Sequence, residues 1–194
     1  SRYQIMPLSN LSHTNIVYCN EAGYWSTYKS DRYGFNNDDD VYEKKNKIIL
    51  VGGSDVQGAC VNEGEDIASR LREKDFNVVG LGMGGNDEIL KYATMKEYFT
   101  VINPKIIIWI FSYGDLQGAI NELKSEKLLK YFNDQNFSQN LALKNKDKDI
   151  FLNQYISKIE NKILMEKRLG YISLYDLRRV IKKIIIEKFR ISID

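Results

Sequence analysis

Three short apolar runs, each breaking into a glycine-bearing junction, constrain this chain more than any other feature. Lys47-Ile48-Ile49-Leu50-Val51 runs into Gly52-Gly53-Ser54. Val78-Val79 runs into Gly80-Leu81-Gly82-Met83-Gly84-Gly85, and Ile106-Ile107-Ile108-Trp109-Ile110-Phe111 into Ser112-Tyr113-Gly114-Asp115. The pattern predicts strands near 47–51, 77–81 and 105–111, separated by helices near 62–74 and 86–101. Strands that are apolar throughout, rather than at every second residue, belong to parallel sheets with helices on both faces. Pro104 stops the second helix and introduces the third strand. The expectation is a parallel α/β core over residues 47–116.

The flanks read differently. Residues 1–46 show little helical or strand periodicity but many aromatics, Tyr18, Tyr24, Trp25, Tyr28, Tyr33, Phe35 and Tyr42 among them, which predicts an extended strap with turns laid across a core edge. Residues 117–194 favour helices. Leu152, Ile156, Ile159 and Ile163 fall on one stripe, Gly170 is a fitting helix stop, and Ser173 with Asp176 opens a further helix. That helix carries Arg178, Arg179, Lys182 and Lys183 on a face best read as solvated. All three parts are expected to form one domain. Three strands leave a difficulty, because the 106–111 run would form an uncovered apolar edge, and natural proteins cover or blunt such edges. Either the helices from 118 to 194 fold over it, or self-association or a missing segment covers it, and the favoured expectation is an incomplete domain that lacks further strands. The chain starts at Ser1 with no signal-like stretch, which points to a processed product or an expressed fragment.

Composition excludes several functions. With Lys+Arg 28 against Asp+Glu 26, no whole-molecule field favours nucleic acid, and no apolar run approaches the roughly 20 residues of a membrane helix. The two cysteines, Cys19 and Cys60, have neither zinc-ligand nor redox spacing and define neither a compartment nor a metal site. His13 is the only histidine, so no multi-histidine metal centre is expected, and no organic cofactor is implied.

Ser54, after two glycines and at a helix start, has the placement of an exposed nucleophile, with helix-start amides able to stabilise an anion at an ester carbonyl. Serine there is equally an ordinary N-cap. The second junction favours the nucleophile, since Gly85 would bring its amide to the same strand ends.

Ser54 in Gly52-Gly53-Ser54, Gly85 after the second strand and Tyr113-Gly114-Asp115-Leu116 after the third resemble the first three blocks of the SGNH, or GDSL-like, hydrolase superfamily. Tyr18-Cys19-Asn20-Glu21, Ser30 to Asn37, Gly58-Ala59-Cys60-Val61 and Phe137-Ser138-Gln139-Asn140 look like a bacterial branch associated with surface-polysaccharide loci. The resemblance covers most of the chain. It implies a flavodoxin-like three-layer fold and serine ester hydrolysis on a small-molecule or carbohydrate ester. Ser54 would be the nucleophile, and the amides of Ser54 and Gly85 would form the oxyanion hole. Gly114 stands where the family has an oxyanion Asn, Gly53 where it has Asp, and the family's C-terminal Asp-x-x-His has no counterpart. Losing one oxyanion donor typically costs about 10²- to 10³-fold, and losing a triad base on the order of 10⁴-fold or more. His13 is the only in-chain base, in an ordinary loop, and Asp55 would oppose an oxyanion unless it points away.

Three readings follow. The first is a serine esterase whose remaining strands and catalytic Asp and His lie elsewhere. The second is a non-catalytic relative kept as a carbohydrate-binding or assembly module. The third is a dinucleotide site at Gly80, Gly82 and Gly85, which fit Gly-x-Gly-x-x-Gly but lack an acidic residue at the tip of the next strand.

Overall fold

A computed structural model of the chain describes residues 5–21, 23–112 and 114–172, with side chains as far as Lys167. The chain divides into two compact units, Ser1–Leu152 and Asn153–Asp194. In the first unit the strands are β1 (Asn15–Cys19), β2 (Ser26–Lys29), β3 (Ile48–Gly52), β4 (Val78–Gly82) and β5 (Ile106–Trp109). The helices are α1 (Ser54–Gln57), α2 (Ile67–Arg72), α3 (Glu88–Ile102), α4 (Asp115–Glu122), α5 (Glu126–Asn133) and α6 (Asn145–Ile172), the last of which continues into the second unit.

The core is a three-stranded parallel sheet in the order β4-β3-β5, flanked by helices. Side chains alternate across a strand. One face buries Ile49, Val51, Val79 and Leu81 against Ile89, Ala93, Tyr98 and Ile102 of α3. The other buries Leu50 and Val78 against Val56 of α1 and Ala68 of α2. Both faces are covered, which is why these strands read as unbroken apolar runs. Gly52 and Gly82 are register partners at the ends of β3 and β4. A Cβ on Gly52 would overlap the Val56 side chain, and one on Gly82 would overlap the α1 backbone at Gln57, so these two positions admit α1 only as glycine.

The strap is more ordered than the sequence indicates. It holds the antiparallel β1–β2 hairpin and a 3-10 helix at Asp39–Glu43, because its aromatic and polar residues obscure a two-residue period. Tyr28, Phe35 and Tyr42 are buried, whereas Tyr24 and Trp25 are exposed. The buried Asp31 carboxylate organises the segment by accepting from the amides of Tyr33 (2.8 Å), Gly34 (2.8 Å) and Phe35 (2.9 Å), and from the Asn37 amide and Tyr42 hydroxyl. Asn37 in turn pairs with Gly80, accepting from its N–H at 2.8 Å and donating to its carbonyl at 3.0 Å, which satisfies part of the outer edge of β4. Lys148, at the start of α6 and fully buried, donates to Ser9 Oγ and to the carbonyls of Asn10 and Tyr33.

Several expectations shift. The first helix covers 67–72 rather than 62–74, because Asn62–Glu65 forms a turn and Asp66 caps the helix through Ser69 N at 3.0 Å. Helix α6 passes through Gly170 to Ile172 rather than stopping there. Interior glycine weakens a helix by about 1 kcal/mol without ending it. The helix expected from Ser173 lies outside the described residues. In the second unit the Ile156, Ile159 and Ile163 stripe of α6 is exposed. Strand β5 sits at the sheet edge with Ile106, Ile107 and Ile108 at 53%, 41% and 40% exposure. No helix among the described residues is long and apolar enough to cross a membrane.

Cys19 and Cys60 form a disulfide, with Cα atoms 4.9 Å apart and a sequence separation of 41. Sequence spacing gives no hint of the pairing, because the hairpin that brings Cys19 beside the turn after α1 shows no apolar alternation. A loop of that length limits the unfolded chain by roughly 4 kcal/mol in the chain-entropy account. Reduction, or Cys60→Ser, is therefore expected to lower the urea midpoint by an amount equivalent to about 2–4 kcal/mol. An unchanged midpoint under non-reducing and reducing conditions would show that the bridge does not form.

Candidate active site

Each strand of a parallel sheet delivers its C-terminal turn to the same rim. At this rim Gly53, Ser54 and Asp55 follow β3, Gly85, Asn86 and Asp87 follow β4, and Ser112 and Asp115 follow β5. Together with Lys91 they line a polar cavity of about 290 Å³. Ser54 is the first residue of α1 and is exposed, so its hydroxyl opens on this cavity. As the first helical residue its amide has no acceptor within the helix. Gly85 holds φ +80 in a turn closed by Asn86 N to Met83 O at 3.2 Å, and a Cβ there would meet nothing, so its constraint is backbone conformation rather than space. Ser54 and Gly85 thus line one cavity.

Gly114 is not among its lining residues; it caps α4, its carbonyl accepting from Gln117 and Gly118. Ser112 and Asp115 occupy that side instead. At Gly53 a Cβ would meet Asn86 O at 3.4 Å and more distant atoms, so space does not exclude a side chain there. Asp55 does not point away: it lines the cavity while its Oδ1 accepts from Val56 N at 2.8 Å. His13 lies in the strap with Nδ1 3.6 Å from Asp39 Oδ2 and is not part of this lining.

The charge of the cavity centres on Lys91, which is 2% exposed and donates to Glu88 Oε1 (2.9 Å), Asp115 Oδ2 (2.5 Å) and the Ile110 carbonyl (3.2 Å). All three ammonium protons are engaged. Trp109 Nε1 donates to the other oxygen of Glu88 at 2.7 Å, and Ser112 Oγ to Asp115 Oδ1 at 2.6 Å. Desolvation pushes the Asp115 carboxyl up, but the bonds from Lys91 and Ser112 outweigh it and hold the group down at about 2.

Anion binding at the start of α3, as a dinucleotide would require, meets a specific obstacle. Glu122 of α4 already accepts from the amides of Asp87 (2.9 Å), Ile89 (2.8 Å) and Leu90 (3.1 Å). A pyrophosphate would compete with this carboxylate for the donors it needs. Gly80 and Gly82 have packing roles, against Ala68 and Asn37 and against α1, that account for them without a nucleotide.

One residue was missed from the sequence. Tyr18 is half-buried, and its hydroxyl occupies the space that a Cβ on Gly84 would need, one residue before Gly85. It belongs to the Tyr18-Cys19-Asn20-Glu21 block, but nothing in that block signals proximity to the turn after β4. Cys19, Glu21 and Cys60 place potential metal-ligand atoms within 4.8 Å of one another, but the disulfide commits both sulfurs to each other. A larger groove of about 700 Å³ runs along α3 past Phe99, Val101, Ile107, Phe137 and Leu143, away from Ser54.

The Asp115 pair has a testable acid limb. A carboxyl held near 2 instead of its usual 3.8 contributes stability that is complete above about pH 4 and is lost as pH falls through about 2. Asp115→Asn is expected to destabilise by roughly 2 kcal/mol at pH 7, with the gap from wild type closing between pH 4 and 2 in denaturant titrations. A gap independent of pH over that range would contradict the assignment.

Comparison of the chain with family models, with curated proteins and with solved structures found no match.

Proposed function

We propose that the chain carries the nucleophile side of an SGNH, or GDSL-like, serine ester hydrolase with a flavodoxin-like fold, acting on acyl esters of carbohydrates. The observation that carries this reading is the shared cavity of Ser54 and Gly85 at the C-terminal rim of a parallel sheet. In this reading Ser54 Oγ attacks the ester carbonyl while its proton passes to a base. The amides of Ser54 and Gly85 donate to the tetrahedral oxyanion, and the acyl-enzyme is then released by water. The carboxylates of Asp55 and Asp87 on the wall are suited to accept from sugar hydroxyls. Acyl transfer of this kind needs a base at Ser54, and the single histidine of the chain is engaged with Asp39 in the strap.

That last observation favours a second reading, a non-catalytic carbohydrate-binding or assembly module on the same fold. Gly53 and Gly114, where the resemblance would have Asp and Asn, point the same way.

The readings separate in a labelling experiment with a fluorophosphonate, which marks activated serines. Slow modification is expected, located to Ser54 by peptide mass spectrometry and abolished in Ser54→Ala. Free imidazole, small enough for the cavity, should accelerate it roughly tenfold, part of the ~10²- to 10⁴-fold that a positioned general base supplies. Adducts elsewhere, or none at Ser54 even with imidazole, would leave the binding-module reading in possession.

A further inference from the structure

Away from the rim, a cavity of about 580 Å³ lies where the strap, α5, the loop after it and the start of α6 meet. Its lining shares no residue with the cavity at Ser54, and its volume falls in the range of small-molecule sites. One wall is held by hydrogen bonds. Gln139 Oε1 accepts from Met6 N at 2.9 Å, while its Nε2 donates to Met6 O at 3.1 Å and to Tyr131 Oη at 3.0 Å. The Tyr131 hydroxyl and the Gln139 amide both donate to the buried Glu97 carboxylate, and Ile5 and half-buried Phe137 add apolar surface.

Three lysines line this cavity, Lys127 and Lys130 one turn apart on α5 and Lys144 just before α6. Among the described residues none of the three is ion-paired, although Glu126 and Asp147 belong to the same lining. Lys127 has one side-chain bond, a long one to Gln139 Oε1 at 3.3 Å. Burial, and then the charge of Lys130, push the Lys127 ammonium below its ordinary value, so an anion among these lysines would relieve a strain that the chain itself leaves in place. The lining also asks for hydroxyl groups. Ser125 Oγ accepts from Leu128 N at 3.5 Å and keeps its own O–H to donate, while the Glu126 and Asp147 carboxylates only accept. Bare phosphate would satisfy the lysines and face those carboxylates unscreened, and an acidic peptide would bring more carboxylates against them. A hydroxylated molecule with one acidic group satisfies both sets.

We propose that this cavity binds a sugar bearing a carboxylate or phosphate group, with the oxyanion held by Lys127, Lys130 and Lys144 and the hydroxyls donating to Glu126 and Asp147. The inference does not depend on the role of Ser54.

The test is a nuclear magnetic resonance titration of the backbone amides with glucuronate, glucose-6-phosphate, glucose and inorganic phosphate in turn. At least one of the two acidic sugars is expected to shift the amides of Ser125 to Lys130 and of Gln139 while leaving that of Ser54 in place, and the tighter of the two identifies the oxyanion. Glucose should bind at least about tenfold more weakly, the weight of one charge-assisted hydrogen bond. Lys127→Gln should weaken the acidic sugar by about the same factor, with the thermal midpoint unchanged when no sugar is present. If that variant lowers the midpoint, Lys144→Gln, at an exposed position outside the helices, gives the same reading. No binding of either acid, shifts centred on Ser54, glucose binding as tightly as the acids, or an affinity unchanged in both lysine variants would overturn the proposal. Inorganic phosphate binding as tightly as the phosphosugar would also overturn it, leaving an adventitious ion only.

Discussion

The close approach of α1 to the ends of β3 and β4 is the constraint on which the rest of this site depends. Gly52 and Gly82 are register partners, and a side chain on either would collide with α1. With both positions empty, the helix drops onto the sheet, buries Val56 between the strands and α2, and leaves Ser54 on the rim. The same descent brings Gln57 to the β4 turn and to Tyr28 of the hairpin, so the serine, the Gly85 turn and the strap are located by one packing event. An ordinary capping serine needs none of this. What distinguishes Ser54 is that it shares one polar cavity with the Gly85 turn and with Lys91 and Asp115 from other elements.

Buried polar groups do much of the remaining positioning, and each is closed by named partners. Asp31 gathers the strap, Asn37 pairs with Gly80, and Lys148 joins the start of α6 to Ser9, Asn10 and Tyr33. Glu97 accepts from Tyr131, Ser138, Gln139 and Leu141, joining α3 to α5 and the loop after it. Such networks are costly when incomplete and rigid when satisfied. Glu122, by the same logic, fills the α3 terminus and leaves the cavity by Ser54 as the rim's place for chemistry. The two edges of the sheet differ accordingly: β4 has Asn37 on its outer side, whereas the side chains of β5 remain substantially exposed.

The three strands were legible because burial on both faces removes polar residues altogether, and that signal survives in any single sequence. Their relation to Ser54 and Gly85 followed from the common direction of parallel strands. The strap was not legible. Its β2 strand buries Ser26 and Tyr28 rather than aliphatic residues and its β1 strand is broken by a bulge, so no apolar alternation shows, and its anchor is a carboxylate whose partners are mostly backbone amides. The disulfide and Tyr18 were hidden for the same reason, since both depend on where that hairpin lies and on a one-residue bulge within it. Gly170 misled because glycine at a plausible distance from a helix start is a weak stop without a following αL cap or proline. Gly80 and Gly82 fit a nucleotide fingerprint for reasons of close packing, a coincidence that spacing alone does not expose.

The central claim is that Ser54 and the Gly85 amide serve one reacting centre. Its most direct measurement is a crystal structure of the protein after reaction with a phosphonate that mimics the tetrahedral intermediate. The account predicts phosphorus bonded to Ser54 Oγ, with one phosphoryl oxygen within hydrogen-bond distance, about 2.7–3.1 Å, of the backbone nitrogens of both Ser54 and Gly85. Phosphorus on Ser54 with that oxygen turned to solvent, or a bond to any other residue, would contradict it.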